Sequence, residues 1–302
     1  MPATAPAKAI QRDIPDPPVM EIQNLSMQFG NHEVLRDISL VLPAGQTLAV
    51  IGESGCGKTV LLKAMNGLLR PTLGEVRFEG KPLAHMNEHE LARMRTRYGF
   101  VFQGAALFDS LTIADNIAFP LREHTRISAA EISEIVESLL AEVGLPRSVA
   151  TKKPMQLSGG MRKRAGLARA LALDPHLILY DEPTTGLDPI MSDVINELIL
   201  RARSRDGVTS VVVTHDMHTA RKVADMILML YPLSRLPPGE PQVVFQGTPQ
   251  ELDNCSDPRI RQFIEGRAGA RLSELKDEQD RDPAQATPPA TPKPPQHTED
   301  ET

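Results

Sequence analysis

An α/β fold built around a parallel sheet follows from three features of the sequence. Continuous apolar runs at Thr47–Ile51, Leu177–Tyr180 and Ser210–Val213 read as strands covered on both faces, as parallel strands are. Helical patterns alternate with them, which is how a parallel sheet is connected. Between the first run and the helical Val60–Met65 lies Gly52-Glu53-Ser54-Gly55-Cys56-Gly57-Lys58-Thr59, a match to the phosphate-cradling loop G-x-x-x-x-G-K-[ST] in the strand–loop–helix setting that motif needs.

The remaining elements can be justified in order. Residues 1–18 are rich in Ala and Pro and are expected to be disordered. Met20–Leu42 and Gly74–Gln103 carry short alternating runs, among them Val76–Gly80 and Tyr98–Phe102, which predict a small β-rich lobe beside the first strand. A helical subdomain is expected over about 104–172. Within it Ser128 and Glu131 form a capping box, and Ile132, Ile135, Val136, Leu139, Leu140 and Val143 make one apolar helix face that ends at Gly144. Met226–Tyr231 and Gln242–Phe245 read as a last strand pair, joined by a Pro-rich surface loop at 232–241 that is longer than a turn requires. The main domain is placed at 19–253, a helical extension at 254–271 and a disordered Pro-rich tail at 272–302.

Composition excludes several classes. A net charge of −6, few aromatics and no Trp argue against a nucleic-acid partner. Two cysteines cannot build a disulfide framework, and a reducing cytoplasm is the expected setting. No apolar stretch is long enough to span a bilayer, and Met1–Pro6 lacks the apolar centre of a signal peptide, so work at a membrane implies docking onto another protein.

The chemistry sits in four places. Gly52 through Val60 curl backbone N–H groups toward an anion, and the helix start adds partial positive charge beneath it. Lys58 is placed for the β- and γ-phosphates of ATP, and the Thr59 hydroxyl for Mg²⁺. The run Leu177–Tyr180 ends in Asp181 and Glu182; Asp181 is suited to the Mg²⁺ shell and Glu182 to polarising a water. Leu157-Ser158-Gly159-Gly160-Met161 opens a second helix and makes a second anion site. Two such sites far apart in one chain suggest a dimer in which each copy closes the other's ATP. A thiol at a helix start, as at Cys56, tends toward a lowered pKa, which raises a redox role. Arg162–Arg169 reads as a solvated helix face, His215, taken alone, as a satisfied histidine at a strand end, and Phe29 as a ring that stacks on a base or, less favoured, a packed core aromatic.

Taken together these residues resemble the ATP-binding subunits of ABC transporters, over about residues 20–250. Leu157–Met161 is similar to that family's signature LSGGQ, Gln103 stands at its Q-loop position, Gly186-Leu187-Asp188 at its D-loop and His215 at its switch histidine, while Phe29 stands where the family stacks an aromatic on adenine. The resemblance implies a P-loop NTPase with a RecA-like parallel core, a small antiparallel lobe and an inserted helical subdomain. It implies ATP and Mg²⁺ as ligands, with Thr59, Gln103 and Asp181 at the metal, Lys58, Glu182 and His215 in catalysis, and Ser158, Gly159, Gly160 and Asp188 at the nucleotide across a homodimer. Two departures stand out, Met161 for Gln and Phe29 for the commoner Tyr. The stretches Phe102–Thr112, Asn116–Thr125 and Asp257–Gly266 further resemble ATPases of the Mla-type phospholipid and organic-solvent-resistance transporters. That narrower likeness implies membrane permease subunits driven through a mobile surface at Gln103–Thr125, a small regulatory subunit, a lipid-carrying partner and a place on the cytoplasmic face of the inner membrane. The alternatives are an importer ATPase for small polar solutes, a soluble ABC ATPase of translation or repair, and an ATP-binding scaffold. One cassette per chain and no heptad insertion speak against translation and repair.

Overall fold

A computed structural model describes residues 17–267. The tail expected at 1–18 lies outside the described residues except for residues 17 and 18, and so do the tail expected at 272–302 and the last residues of the 254–271 extension. In chain order come β1 (Met20–Phe29), β2 (His32–Leu42), β3 (Thr47–Gly52), α1 (Lys58–Met65), β4 (Leu73–Phe78), β5 (Lys81–Pro82), α2 (Glu88–Arg95) and β6 (Tyr98–Val101). Helices α3 (Ile113–His124), α4 (Ala129–Glu142) and α5 (Gly159–Leu171) follow, then β7 (Leu177–Asp181), α6 (Pro189–Asp206), β8 (Thr209–Val213), α7 (Met217–Val223), β9 (Met226–Leu230), β10 (Val243–Gly247) and α8 (Pro249–Asp253). A second compact unit begins at Asp257 and contains α9 (Pro258–Ile264), whose first turn is capped by the Asp257 carboxylate accepting from the Arg259 N–H at 2.8 Å.

The strands form two sheets. One is antiparallel, ordered β2-β1-β4-β5; the other is ordered β10-β9-β3-β8-β7-β6 and is parallel except for its β10 edge. This is the α/β P-loop architecture with a small antiparallel lobe. Strand β7 explains its uninterrupted apolar sequence. Leu177 and Leu179 join the core shared with the antiparallel lobe, whereas Ile178 and Tyr180 face the core of the helical subdomain. Parallel register sets Val50 beside Val213 and Asp181 beside Val213, so β3, β7 and β8 end together at one edge of the sheet. Ligands of open α/β sheets bind at such a carboxyl edge.

The helical subdomain follows its local signals. Ser128 and Glu131 cap α4 reciprocally, Ile132, Val136, Leu139, Leu140 and Val143 are buried, and Gly144 takes a left-handed φ of 68° past the helix end. Fully buried Asn116 on α3 accepts from the Phe108 N–H at 2.8 Å and donates to the Thr112 carbonyl at 2.9 Å. Within the surface at Gln103–Thr125, expected to be mobile, these bonds fasten the turn at Phe108–Thr112 to α3.

Three expectations need correction. Tyr98–Phe102 does not belong to the small lobe: β6 pairs in parallel with β7, Tyr98 opposite Leu177. Alternation reveals a strand but not its sheet, and what decides here is close packing by α5, since a Cβ on Gly99 would lie 2.8 Å from the Ala170 carbonyl oxygen. Residues 88–95, inside the stretch read as β-rich, form α2 behind an Asn87–Glu90 capping box. Finally, Arg162–Arg169 is no solvated face. Lys163 is buried, Arg164 donates to the Gly144 carbonyl at 2.7 Å, and Arg169 donates to the Ala105 and Ala106 carbonyls at 3.0 and 2.8 Å. Each of these three cations ties α5 to a neighbouring loop, while Arg162 stays exposed.

Candidate functional site

The phosphate-cradling loop leaves β3 at Gly52 and is bedded closely on its surroundings. Gly52 has φ 143°, and a Cβ there would sit 2.3 Å from the Leu230 carbonyl oxygen. Gly57, left-handed at φ 94°, caps α1, and its Cβ would meet the Val34 carbonyl oxygen at 2.9 Å. No acidic residue occupies the first turn of α1, so the helix carries no negative side chain of its own at its positive end. The Lys58 ammonium donates to the Gly52 and Glu53 carbonyls, both at 2.8 Å, and lies inside the loop. Ser54 and Gly55 form the exposed outer turn of the cradle, and Val60 continues α1.

Parallel pairing carries the acidic pair to the same edge. The Thr59 hydroxyl is 3.3 Å from one Asp181 carboxylate oxygen and 3.4 Å from the other. Burial pushes the Asp181 carboxyl up, the Thr59 hydrogen bond pulls against that, and the Glu182 charge adds to the rise. A cation between Thr59 and Asp181 would reverse the balance. The donors are hard oxygens, and no cluster of three or more His, Cys, Asp or Glu suited to a metal occurs among the described residues. That fits Mg²⁺, which keeps water and phosphate in most of its shell. Gln103 lies exposed in the turn after β6, the strand next to β7, and among the described residues no hydrogen bond joins it to Thr59 or Asp181.

Glu182 has a left-handed φ of 51° for a non-glycine residue, a conformation that persists only when neighbours enforce it. Its N–H donates to the Val213 carbonyl at 2.9 Å, its carboxylate accepts from the Thr185 hydroxyl at 2.9 Å, and His215 Nδ1 stands 2.7 Å from Oε2. The Lys163 ammonium holds this turn from below through the Pro183 and Thr185 carbonyls at 2.8 and 2.6 Å. A carboxylate and an imidazole are thus joined at the edge where the cradle opens.

Ser158 caps α5 and accepts from the Met161 N–H at 3.3 Å; Asp188 caps α6 and accepts from the Met191 N–H at 2.9 Å. The two turns touch, because Gly160 backs onto the Met191 side chain at 3.0 Å from where a Cβ would be, while Gly159 faces open space. Met155 and Ile190 beside them are 81% and 77% exposed, an apolar pair left on the surface. Phe29, at the end of β1, is 47% exposed, which rules out the reading as a core aromatic. Phe100, Phe102, Phe108, Phe119 and Arg169 line a separate cleft of about 330 Å³ beside Gln103.

Cys56 is corrected by the structure. It is 2% exposed, and burial pushes its thiol up despite the nearby Lys58. Iodoacetamide applied to native protein near pH 7 is expected to label Cys255, which is partly exposed, and to spare Cys56 until denaturant is added. Peptide mass spectrometry reads this directly, and native labelling of Cys56 would restore the redox reading.

Sequence reasoning missed three residues at this site. Lys163 was one; the others come from the 232–241 segment and its end, which is not merely a surface loop. Arg235 forms a two-pronged pair with Glu53, and fully buried Gln242 donates to the Cys56 carbonyl at 2.9 Å while accepting from the Arg36 N–H at 3.0 Å. The only local signal was a buried-strand context around a Gln.

The family model described as ABC transporter matches residues 35–185. The "Probable ribonucleotide transport ATP-binding protein mkl" of Mycobacterium tuberculosis is 41% identical over 261 residues, covering 86% of this chain and 70% of that protein. The "Intermembrane phospholipid transport system ATP-binding protein MlaF" of Escherichia coli is 40% identical over 248 residues, covering 82% of this chain and 89% of that protein. Among solved structures, the dimeric ATP-binding cassette MJ0796 with ADP and Pi superposes at a TM-score of 0.68 and 32% identity, covering 76% of this chain and 98% of that one.

Proposed function

This chain belongs to the ABC transporter family as an ATP-binding, ATP-hydrolysing subunit, and from that premise we propose how it works and what it moves. Two copies meet head to tail. Phe29 stacks on the base, Gly52 through Val60 cradle the phosphates, and Ser158, Gly159 and Gly160 of the partner subunit close over the γ-phosphate with Asp188 alongside. Thr59, Asp181 and Gln103 would hold Mg²⁺, which when bound would supply charge stabilisation to the phosphates. Lys58 neutralises the same phosphates, Glu182 orients the attacking water, and His215 steadies Glu182 and the γ-phosphate. The observation that carries this reading is the convergence of Lys58, Thr59, Asp181, Glu182 and His215 at one sheet edge, with His215 Nδ1 2.7 Å from Glu182. Dimerisation draws support from the two-copy arrangement of MJ0796.

Closure of the dimer on ATP and its opening after hydrolysis drive a membrane permease seated at the aromatic cleft beside Gln103. Among the described residues no helix is long and apolar enough to cross a membrane, which is consistent with a peripheral subunit held to the cytoplasmic face of the inner membrane by its permease. The cargo we propose is phospholipid or another lipid, handed on by a carrier partner with a small regulatory subunit in attendance, since the MlaF likeness spans nearly all of that protein. Transport of a small polar solute is the second reading, favoured by the equally similar mkl proteins with their ribonucleotide description. Purifying the intact membrane complex through this subunit and identifying its bound small molecules by mass spectrometry tests both. Co-purified phospholipid released on ATP addition supports the first; ATP-dependent uptake of labelled ribonucleotide into vesicles without lipid release replaces it with the second.

A further inference from the structure

The segment after β9 reaches back to the phosphate-cradling loop. Arg235 ends a short 3₁₀ turn, Leu233–Arg235, inside the Pro-rich link. Its Nη1 and Nη2 donate to Glu53 Oε1 and Oε2 at 2.8 and 2.9 Å, a two-pronged pair across 182 residues of sequence. The Arg235 side chain is only 10% exposed, and its guanidinium lies 5.7 Å from the centre of the Tyr231 ring. Arg36 on β2 fastens the far end of the link through the Pro237 and Glu240 carbonyls at 3.3 and 3.4 Å. Gln242 closes the strap onto the Cys56 carbonyl.

Glu53 poses an electrostatic difficulty. It is the second residue of a loop whose purpose is to hold a polyanion, yet it carries a carboxylate. In a site of reduced dielectric, like charges a few ångströms apart disfavour binding strongly. We propose that Arg235 is a positioning residue for nucleotide binding: its guanidinium neutralises Glu53 and turns that carboxylate sideways, so that the cradle presents only N–H groups and Lys58 to the phosphates. The planar fork matches both carboxylate oxygens, which a point charge does not do as well. The Pro-rich link then serves to deliver this fork to the cradle.

The inference rests on the reading of Gly52–Val60 as the ATP site. Mg-ATP binding is measured by isothermal titration on the full chain, with Lys58→Ala as control. Arg235→Gln is expected to weaken binding about tenfold, because it uncovers one carboxylate beside the phosphates. The loss is expected to shrink as salt is raised, since screening weakens a like-charge effect. Adding Glu53→Gln to Arg235→Gln is expected to recover binding to within about threefold of the parent. A strap acting only as a mechanical brace would leave the double variant as weak as the single one. That result, or unchanged binding by Arg235→Gln, overturns the proposal. Arg235→Met, which keeps length without charge, repeats the test should Arg235→Gln fail to fold by its thermal melt. If Lys58→Ala binds as the parent does, the site reading itself has failed, and Arg235 is not what is at fault.

Discussion

Glu182→Gln is expected to keep ATP and stop turning it over. The carboxylate is joined both to an imidazole, His215 at 2.7 Å, and to a hydroxyl, Thr185 at 2.9 Å, so its lone pairs are held in place at the sheet edge. An amide of the same shape fills the same space but cannot accept a proton from water. General-base groups contribute about 10²–10⁴-fold, and a loss of about 10³-fold in kcat is expected here. Binding is expected to stay within a few-fold of the parent, because Lys58 and the loop N–H groups proposed to meet the phosphates are untouched. A copy that binds but cannot hydrolyse should accumulate as the closed pair. Phosphate release measured alongside size-exclusion chromatography in Mg-ATP checks both halves. Hydrolysis near the parental rate would remove Glu182 from its role, and a monomer in saturating Mg-ATP would remove the shared site.

Much of this was legible in the sequence because it is local. A parallel strand buried on two faces must be apolar without a break, and β3, β7 and β8 were visible for that reason. The cradle was visible because glycines at positive φ have to be written at fixed spacing, as Gly52 and Gly57 show. Sequence order also placed Asp181, Glu182 and His215 at or just after apolar strands, and those strands end at one edge of the sheet.

What escaped was non-local or shared its pattern with something else. β6 alternates like a strand of the small lobe, and only its packing under α5 at Gly99 assigns it to the large sheet. A cation on a helix looks the same in sequence whether it meets water or buried carbonyls, and for this reason Lys163, Arg164 and Arg169 read as solvated. Cys56 sits where a helix start lowers a thiol's pKa, but burial outweighs that field, and burial is a property of the whole fold. The Pro-rich link looked idle because its one decisive contact lies 182 residues away.

Lys163→Met should show how far a single buried cation governs this site. The ammonium has three hydrogens, and its two close acceptors, the Pro183 and Thr185 carbonyls, belong to the turn that holds Glu182 in its left-handed conformation. A third acceptor, the Glu182 carbonyl, lies farther off at 3.4 Å. Methionine fills a similar volume and donates nothing, leaving buried carbonyls unpaired at about 1–3 kcal/mol each. Burial also disfavours the Lys163 charge, and losing that penalty offsets part of the cost. A net destabilisation of about 3 kcal/mol is expected, which for a chain of this size lowers the melting temperature by about 6–12 °C. Because α5 also carries Ser158 and Gly160, the same cation connects the turn expected to close a neighbour's nucleotide with the turn that aims this chain's own carboxylate. The variant should therefore lose kcat about tenfold below its melting range while its affinity for ATP stays near the parent's, since only the aim of Glu182 has changed. Lys163→Arg, which keeps donors at the end of a long side chain, should recover most of the rate. Differential scanning calorimetry and steady-state kinetics on the same samples separate the two effects. A Lys163→Met protein that melts and turns over like the parent would mean that the turn after β7 holds Glu182 without help from α5.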